Sequence, residues 1–204
     1  MLSSRQKEER EARKQRILDG ALRVFQREGL EGATMGEIAH QAGFGKATLY
    51  YYFASKEEVF CAIMEKGWEP LWEGIESVIH NDAGPRETFI EIIEKIVEIT
   101  LKERNLYRFL FSAPKAVTNL PESHQPWKKY QNRIYGVLTG LLEDGMAKGE
   151  FPKVDPQLLL RAVGGLFHGL MFLGNGQEKF RKKDIDELIS KFLATPGPVE
   201  GEHN

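Results

Sequence analysis

The chain has a single cysteine, Cys61, so no disulfide scaffold can hold its 204 residues together. Cys61 sits in an apolar, helix-like run and reads as a buried thiol. No stretch alternates apolar and polar residues at period two, which argues against strands. The most apolar segment, "LLLRAVGGLFHGLMFLG" at 158–174, falls short of the roughly 20 residues a membrane span needs and carries Arg161 and His168. It is expected to be a buried helix, and no membrane partner is expected. The opening "MLSSRQKEEREARKQR" lacks the apolar core of a signal peptide, so a cytoplasmic location is expected. Charge of one sign is also missing: the formal net charge is −2. Residues 1–60 hold 10 Lys and Arg against 9 Asp and Glu, so any nucleic-acid binding must come from a local surface.

What is present is helical period almost throughout, in a composition of 41% apolar and 28% charged residues. The predicted fold class is all-α. Ile17, Ala21, Leu22 and Phe25 lie on one face of a first helix that starts near Ser4 and is stopped by Gly29. Its opening turns carry Arg5, Lys7, Arg10, Arg13, Lys14 and Arg16 and no apolar face, which suits either a solvated end or a basic arm near phosphates. Thr34-Met35-Gly36-Glu37 is a capping box, followed by a short helix with Ile38, Ala39 and Ala42 inward and Gly43 at its end. After the turn at 43–45, residues 46–53 make two helical turns. Ser55-Lys56-Glu57-Glu58 then opens a fourth helix that Pro70 should kink or end. Two short helices joined by a glycine turn form a helix-turn-helix.

The three consecutive tyrosines can be placed on that second short helix. If Leu49 and Phe53 face the core, Ala47 and Tyr51 point the opposite way, with Thr48 and Tyr50 flanking and Tyr52 nearer the buried edge. Such a face suits a DNA major groove. Ala47 and the Thr48 methyl can touch thymine methyls, the hydroxyls can reach phosphates or base edges, and Lys46 and Lys56 can neutralise phosphates. The helix starts near Thr34 and Lys56 also favour anions.

Over residues 16–60 the sequence "RILDGALRVFQREGLEGATMGEIAHQAGFGKATLYYYFASKEEVF" closely resembles the tetracycline-repressor (TetR) family of bacterial transcriptional regulators, of the AcrR-like kind. The resemblance implies a homodimer whose two recognition helices enter successive major grooves of a near-palindromic operator in double-stranded DNA. It carries a DNA-contacting role onto Thr34, Lys46, Ala47, Thr48, Tyr50, Tyr51, Tyr52 and Lys56. Two positions depart from the pattern: Gly36 stands where some members have a base-reading arginine, and Gly45 where a hydroxyl residue is common. The expected organisation is a DNA-binding domain at 11–71, with its helix-turn-helix at 34–53, a helical ligand-binding and dimerisation domain at 72–195, and a tail at 196–204.

Past Gly67 the expected helices are one opened by Gly84-Pro85, a long one through Tyr130, Ile134, Val137, Leu138, Leu141 and Leu142, one opened by Asp155-Pro156, and a last one near 184–193. Pro114, Pro121 and Pro126 bound a connection. The segment 156–173 is apolar almost all round, which fits cover by its own domain on one side and a partner on the other. The resemblance pairs the last two helices with their copies, giving Gly165, Gly169, Phe172, Leu188 and Phe192 as expected dimer contacts. It also implies a pocket for a hydrophobic small-molecule effector, to which Trp68, Trp72, Phe89, Phe109, Phe111, Trp127, Tyr130, Phe167, His168 and Met171 are candidates. Tyr130, His168 and Arg161 would be its polar anchors. Each of them taken singly reads first as core packing, and only the group suggests a pocket wall.

Enzyme chemistry finds no foothold. "GFGKAT" lacks the first glycine, the following Ser or Thr and the preceding strand of a phosphate loop. Glu37 and His40 have the spacing of a di-iron helix but occur once, and His80, His124, His168 and His203 have no metal spacing, so no metal or cofactor is expected. The competing reading is a helical ligand-binding or adaptor protein that does not bind DNA.

Overall fold

The computed structural model describes residues 3–79, 83–112 and 125–173, with 183, 187, 188, 191 and 193. Among the described residues it contains eight α-helices and no strand. Contacts group the chain into two units, residues 1–69 with 104–128, and residues 70–103 with 129–204. The expected boundary near 71 therefore passes through a helix shared by both units, and 104–128 groups with the amino-terminal helices rather than with the second unit.

In the first unit, α1 (Ser4–Gly32) begins where Ser3 and Gln6 form a reciprocal cap. Gly29, at φ 71°, breaks the helix as expected, and Leu30 turns back into the core. Helices α2 (Met35–Ala42), α3 (Lys46–Tyr52) and α4 (Lys56–Glu76) follow. Helix α6 (Arg104–Ser112), which no turn residue announces, joins them. Phe109 of α6 stacks on Phe25 of α1 at 6.3 Å and meets Phe60 of α4 edge-on at 5.8 Å. The Tyr107 hydroxyl donates to the carbonyl of Gly67, and the Gln26 amide donates to the carbonyl of Asn105.

Pro70 does not end α4, which continues six residues beyond it. The lost backbone bond is outweighed by burial of Leu71, Trp72 and Ile75, each worth about 1.5–3 kcal/mol.

In the second unit, α5 (Pro85–Lys102) begins with Gly84 as cap and Pro85 at its first position, and buries Phe89, Ile92, Ile93 and Ile96. Helix α7 (Lys128–Ala147) buries Ile134, Leu138 and Leu142. Phe151 closes against Phe89 edge-on at 5.6 Å. Asp155 caps α8 (Pro156–His168) by accepting from the Leu158 amide at 2.8 Å, and α8 runs into a π-helical turn, Gly169–Leu173. Against the expectation that this segment falls short of a span, Pro156–Leu173 is by length and composition long and apolar enough to cross a membrane, a test that the core helix of a soluble protein also passes. It is buried on one side only. Leu159, Leu160, Val163 and Phe167 face inward, while Leu158 is 62% and Leu173 75% exposed. The expected connection at 114–121 and most of the expected last helix lie outside the described residues.

Candidate nucleic-acid interface

The reading head is built from α2 and α3. Both halves of the Thr34 capping box are present. The Thr34 hydroxyl accepts from the Glu37 amide at 3.2 Å, and the Glu37 carboxylate accepts from the Thr34 amide at 3.0 Å and from its hydroxyl at 2.8 Å. These bonds hold the Glu37 carboxyl below its ordinary pKa, with the Thr34 hydroxyl the largest cause. Gly43 takes the left-handed conformation at φ 73° that ends α2, its amide reaching the carbonyls of Ala39 and His40. Arg16 of α1 locks this corner: its guanidinium donates to the Ala42 carbonyl and lies 4.6 Å from the Phe44 ring.

Helix α3 starts at Gly45 without a side-chain cap, the consequence of glycine where a hydroxyl residue would serve. Leu49 and Phe53 are buried. Lys46 and Ala47 are exposed, Tyr50 is 54% and Tyr51 71% exposed, and Thr48 and Tyr52 are half-buried. The face derived from the 100° turn per residue is therefore the outer face. Tyr52 stands edge-on against Tyr51 at 5.1 Å, which places it on the border between scaffold and surface.

Thr34 keeps its capping role, while Lys56, the Ser55 box and Arg10 carry more than the sequence indicated. The Thr34 hydroxyl is occupied within the capping box. The Lys56 ammonium donates to the carbonyls of Glu31 at 2.9 Å and Ala33 at 3.2 Å, so it satisfies the end of α1 as well as opening α4. The box at the start of α4 is shifted by one residue: Ser55 accepts from the Glu58 amide, but the Glu58 carboxylate accepts from Ala54. Arg10, 41 positions before Tyr51, has its guanidinium 6.0 Å from the Tyr51 ring, so the basic opening of α1 runs beside the outer face of α3. No local sequence signal announces that neighbour. Lys7, Arg10 and Lys14 share with Tyr52, Phe53 and Cys61 the lining of a cavity of about 750 Å³. Cys61 is half-buried rather than buried, and burial followed by Glu65, Glu57 and Glu58 pushes its thiol pKa up.

The ten candidate pocket residues are divided between the units. Trp68, Phe109, Phe111 and Trp127 lie in the first; Trp72, Phe89, Tyr130, Phe167, His168 and Met171 lie in the second. Trp68 packs edge-on against Phe111 at 5.9 Å, and Phe109 fills the space between α1 and α4 and borders a cavity of about 570 Å³ with Arg108 at its rim. In the second unit the Arg133 guanidinium covers Trp72 at 5.4 Å and Lys129 covers Tyr130 at 4.5 Å. Of the expected dimer contacts, a side chain at Gly165 would meet nothing within 4 Å and Leu188 is 42% exposed. Gly169 is half-exposed, whereas Phe172 is buried against Phe167 and His168 of its own chain. Phe192 lies outside the described residues. Among the described residues no three His, Cys, Asp or Glu side chains are grouped to hold a metal.

A glycine-linked helix pair with a polar, aromatic outer face, braced by a third helix, defines a helix-turn-helix transcriptional regulator. The amino-terminal family model of the tetR family of bacterial regulatory proteins matches residues 17–63, and a tetracyclin repressor-like C-terminal domain model matches 82–171. The chain belongs to the TetR family, a family of transcriptional regulators and not of enzymes. It is 28% identical over 198 residues to the HTH-type regulator YfiR of Bacillus subtilis (strain 168), covering 93% of this chain and 94% of that one. To AcrR of Shigella flexneri it is 25% identical over 206 residues, covering 96% of each. The solved structure of AibR with isovaleryl coenzyme A and operator DNA superposes with a TM-score of 0.73 at 21% identity, over 89% of this chain and 97% of that one, a likeness of fold.

Proposed function

We propose that this TetR-family regulator is a homodimeric repressor that binds a near-palindromic operator and leaves it when a hydrophobic small molecule binds. The observation that carries this reading is the outer face of α3. Lys46, Ala47, Thr48, Tyr50 and Tyr51 stand together on a helix whose other side is anchored by Leu49 and Phe53. The face offers a charge, small apolar groups and hydroxyls, as a major groove requires. Thr34, Tyr52 and Lys56 flank it and would position the head on phosphates.

Dimerisation is supported by α8. Its outward side pairs the exposed Leu158 with Gly164 and Gly165, where an added side chain would meet nothing within 4 Å, so a partner backbone could approach closely. Leu188 lies on the helix expected to pair beside it, while Phe172 would act by supporting the π turn from within. The effector reading rests on the aromatic content of the second unit around Trp72, Phe89, Phe167 and Met171, and AibR, with its acyl coenzyme A, suggests an acyl chain as the first class to screen.

Operator DNA selects recognition helices about 34–36 Å apart, one turn of the duplex. Ligand selects another spacing, with α4, which enters both units, carrying the shift. A full switch between 1:99 and 99:1 needs a preference of about 5.5 kcal/mol between the two forms. The test is recovery of genomic DNA fragments by purified protein, with a Thr48→Ala/Tyr51→Ala variant in parallel. A palindromic site recovered by the wild type alone, with affinity falling steeply as salt rises, supports the reading. Recovery of the same non-specific fragments by both proteins overturns it and favours the adaptor role.

A further inference from the structure

Helix α2 contains a glycine that its backbone does not require. Gly36 is the second residue of an eight-residue helix, where glycine is less favourable than alanine. Unlike Gly29, Gly43 and Gly149, it does not have positive φ. No backbone presses on it either, in contrast to Gly20, whose missing side chain would strike the main chain of Ala42. What an added Cβ would meet is Lys46. It would stand 2.8 Å from the lysine Cε and 3.3 Å from Nζ, with the Thr34 hydroxyl next at 3.8 Å. The side chain of the first residue of α3 thus lies across the first turn of α2, in the space a side chain at position 36 would fill.

Resting on the DNA-binding reading above, we infer that Gly36 is a positioning residue for Lys46: its bare surface seats the lysine stem so that the ammonium is presented to the operator at the crossing of α2 and α3. Among the described residues, no hydrogen bond or ion pair holds that ammonium. Glu37, the nearest acid in sequence, has its carboxylate engaged by Thr34. The seat is purely steric, and the donor is left for an acceptor outside the protein. A lysine here is a point charge on a long stem, and the room above Gly36 keeps open the rotamer that lies across α2, which a side chain at position 36 would close. Positions 36 and 46 then act as one unit, and the operator contact depends on the emptiness of the first as much as on the charge of the second. The acceptor is an oxygen or ring nitrogen of the operator, either a phosphate or the major-groove edge of a guanine.

A double-mutant cycle tests this on the operator recovered by the wild type. Binding is measured by fluorescence anisotropy across a salt series for the wild type, Gly36→Ala, Lys46→Ala and the double variant, with thermal melts to show that each is folded. Lys46→Ala should weaken binding about tenfold, and Gly36→Ala should weaken it in the same direction. In the Lys46→Ala background the second substitution should cost nothing more. If the acceptor is a phosphate, each single variant lowers the salt slope by about 0.9 with base preference kept. If it is a guanine, reselection relaxes the preference at one base pair. Wild-type affinity and slope in Gly36→Ala, or losses that multiply in the double variant, overturn the inference while leaving the DNA-binding reading standing. Failure of the wild type to recover any operator overturns both.

Discussion

Replacing Gly20 by alanine sets two effects of opposite sign against each other. Gly20 lies in the middle of α1, where alanine should strengthen the helix by about 1 kcal/mol. A Cβ at that position would lie 2.8 Å from the Ala42 amide nitrogen and 3.0 Å from its Cα and Cβ. Apolar atoms in good contact sit roughly 3.5–4.0 Å apart, so α1 and α2 would have to separate by about 0.5–1 Å. The obstacle is main chain held by the cap at Gly43 and by the Arg16 bond to the Ala42 carbonyl, so it cannot swing away as a flexible side chain would. Overpacking of this kind costs about 1–3 kcal/mol. With Ile17 and Ala21 fully buried on either side, a value near the upper end is expected. The net prediction is a destabilisation of about 1–2 kcal/mol, or a melting temperature lower by about 2–8 °C at fixed protein concentration. Because the shifted element carries the reading head, operator affinity should fall as well. Circular dichroism melts and anisotropy on the same samples decide the matter. A melting temperature at or above that of the wild type, with operator affinity unchanged, would refute the argument, since it would mean that helix propensity outweighs the contact with α2.

Three further outcomes are expected. Because Thr34 holds the folded Glu37 carboxyl below the ordinary value of 4.5, the stabilisation is present above that pH and disappears as pH falls through the folded value. Glu37→Ala should therefore melt below wild type at pH 7, with the gap closing on acidification; a gap independent of pH would show that the charge is not what matters. Half-buried Cys61, with its pKa raised by burial and by Glu65, Glu57 and Glu58, should react with iodoacetamide at pH 7.5 well below the rate of free cysteine. Equal rates would contradict the assigned environment. Arg10→Ala should reduce the slope of log affinity against log salt by about 0.9 without altering the selected sequence, the behaviour of a phosphate contact. An unchanged slope would show that Arg10 only buttresses Tyr51.

Local chemistry was the legible part of this protein. The Thr34 to Glu37 box, the Gly43 stop and the Asp155-Pro156 start each depend on residues within four positions, and each has the predicted role. The orientation of α3 followed from the helical turn angle and two anchors, and it needed no knowledge of what packs against Leu49. Long-range and unpunctuated features were hidden. Nothing marks the break between α5 and α6, where Glu103 alone leaves the helical conformation without a glycine or proline. At Pro70 the sequence leaves kink and stop both open, because it shows the missing amide but not the burial of Leu71 and Ile75 that lets α4 continue. Only the fold brings Phe109 between Phe25 and Phe60. Lys56 was legible as a cation at a helix start, whereas its bonds to carbonyls 23 and 25 positions away were not.

Those two bonds bear on how force travels. The carbonyls of Glu31 and Ala33 belong to the end of α1 and the link that leads into α2, and the lysine that grips them is the first residue of α4. The opening turn of α4 therefore cannot swing as a free hinge without dragging that link, and the link in turn holds Thr34 and the start of α2. On the homodimer reading proposed above, a tug along α4 would carry α1, α2 and α3 together as a plate. The two plates of a dimer would then change the distance between them while each keeps its own grip on the bases. Release from the operator would be a loss of spacing, with the shape of each half-site reader preserved.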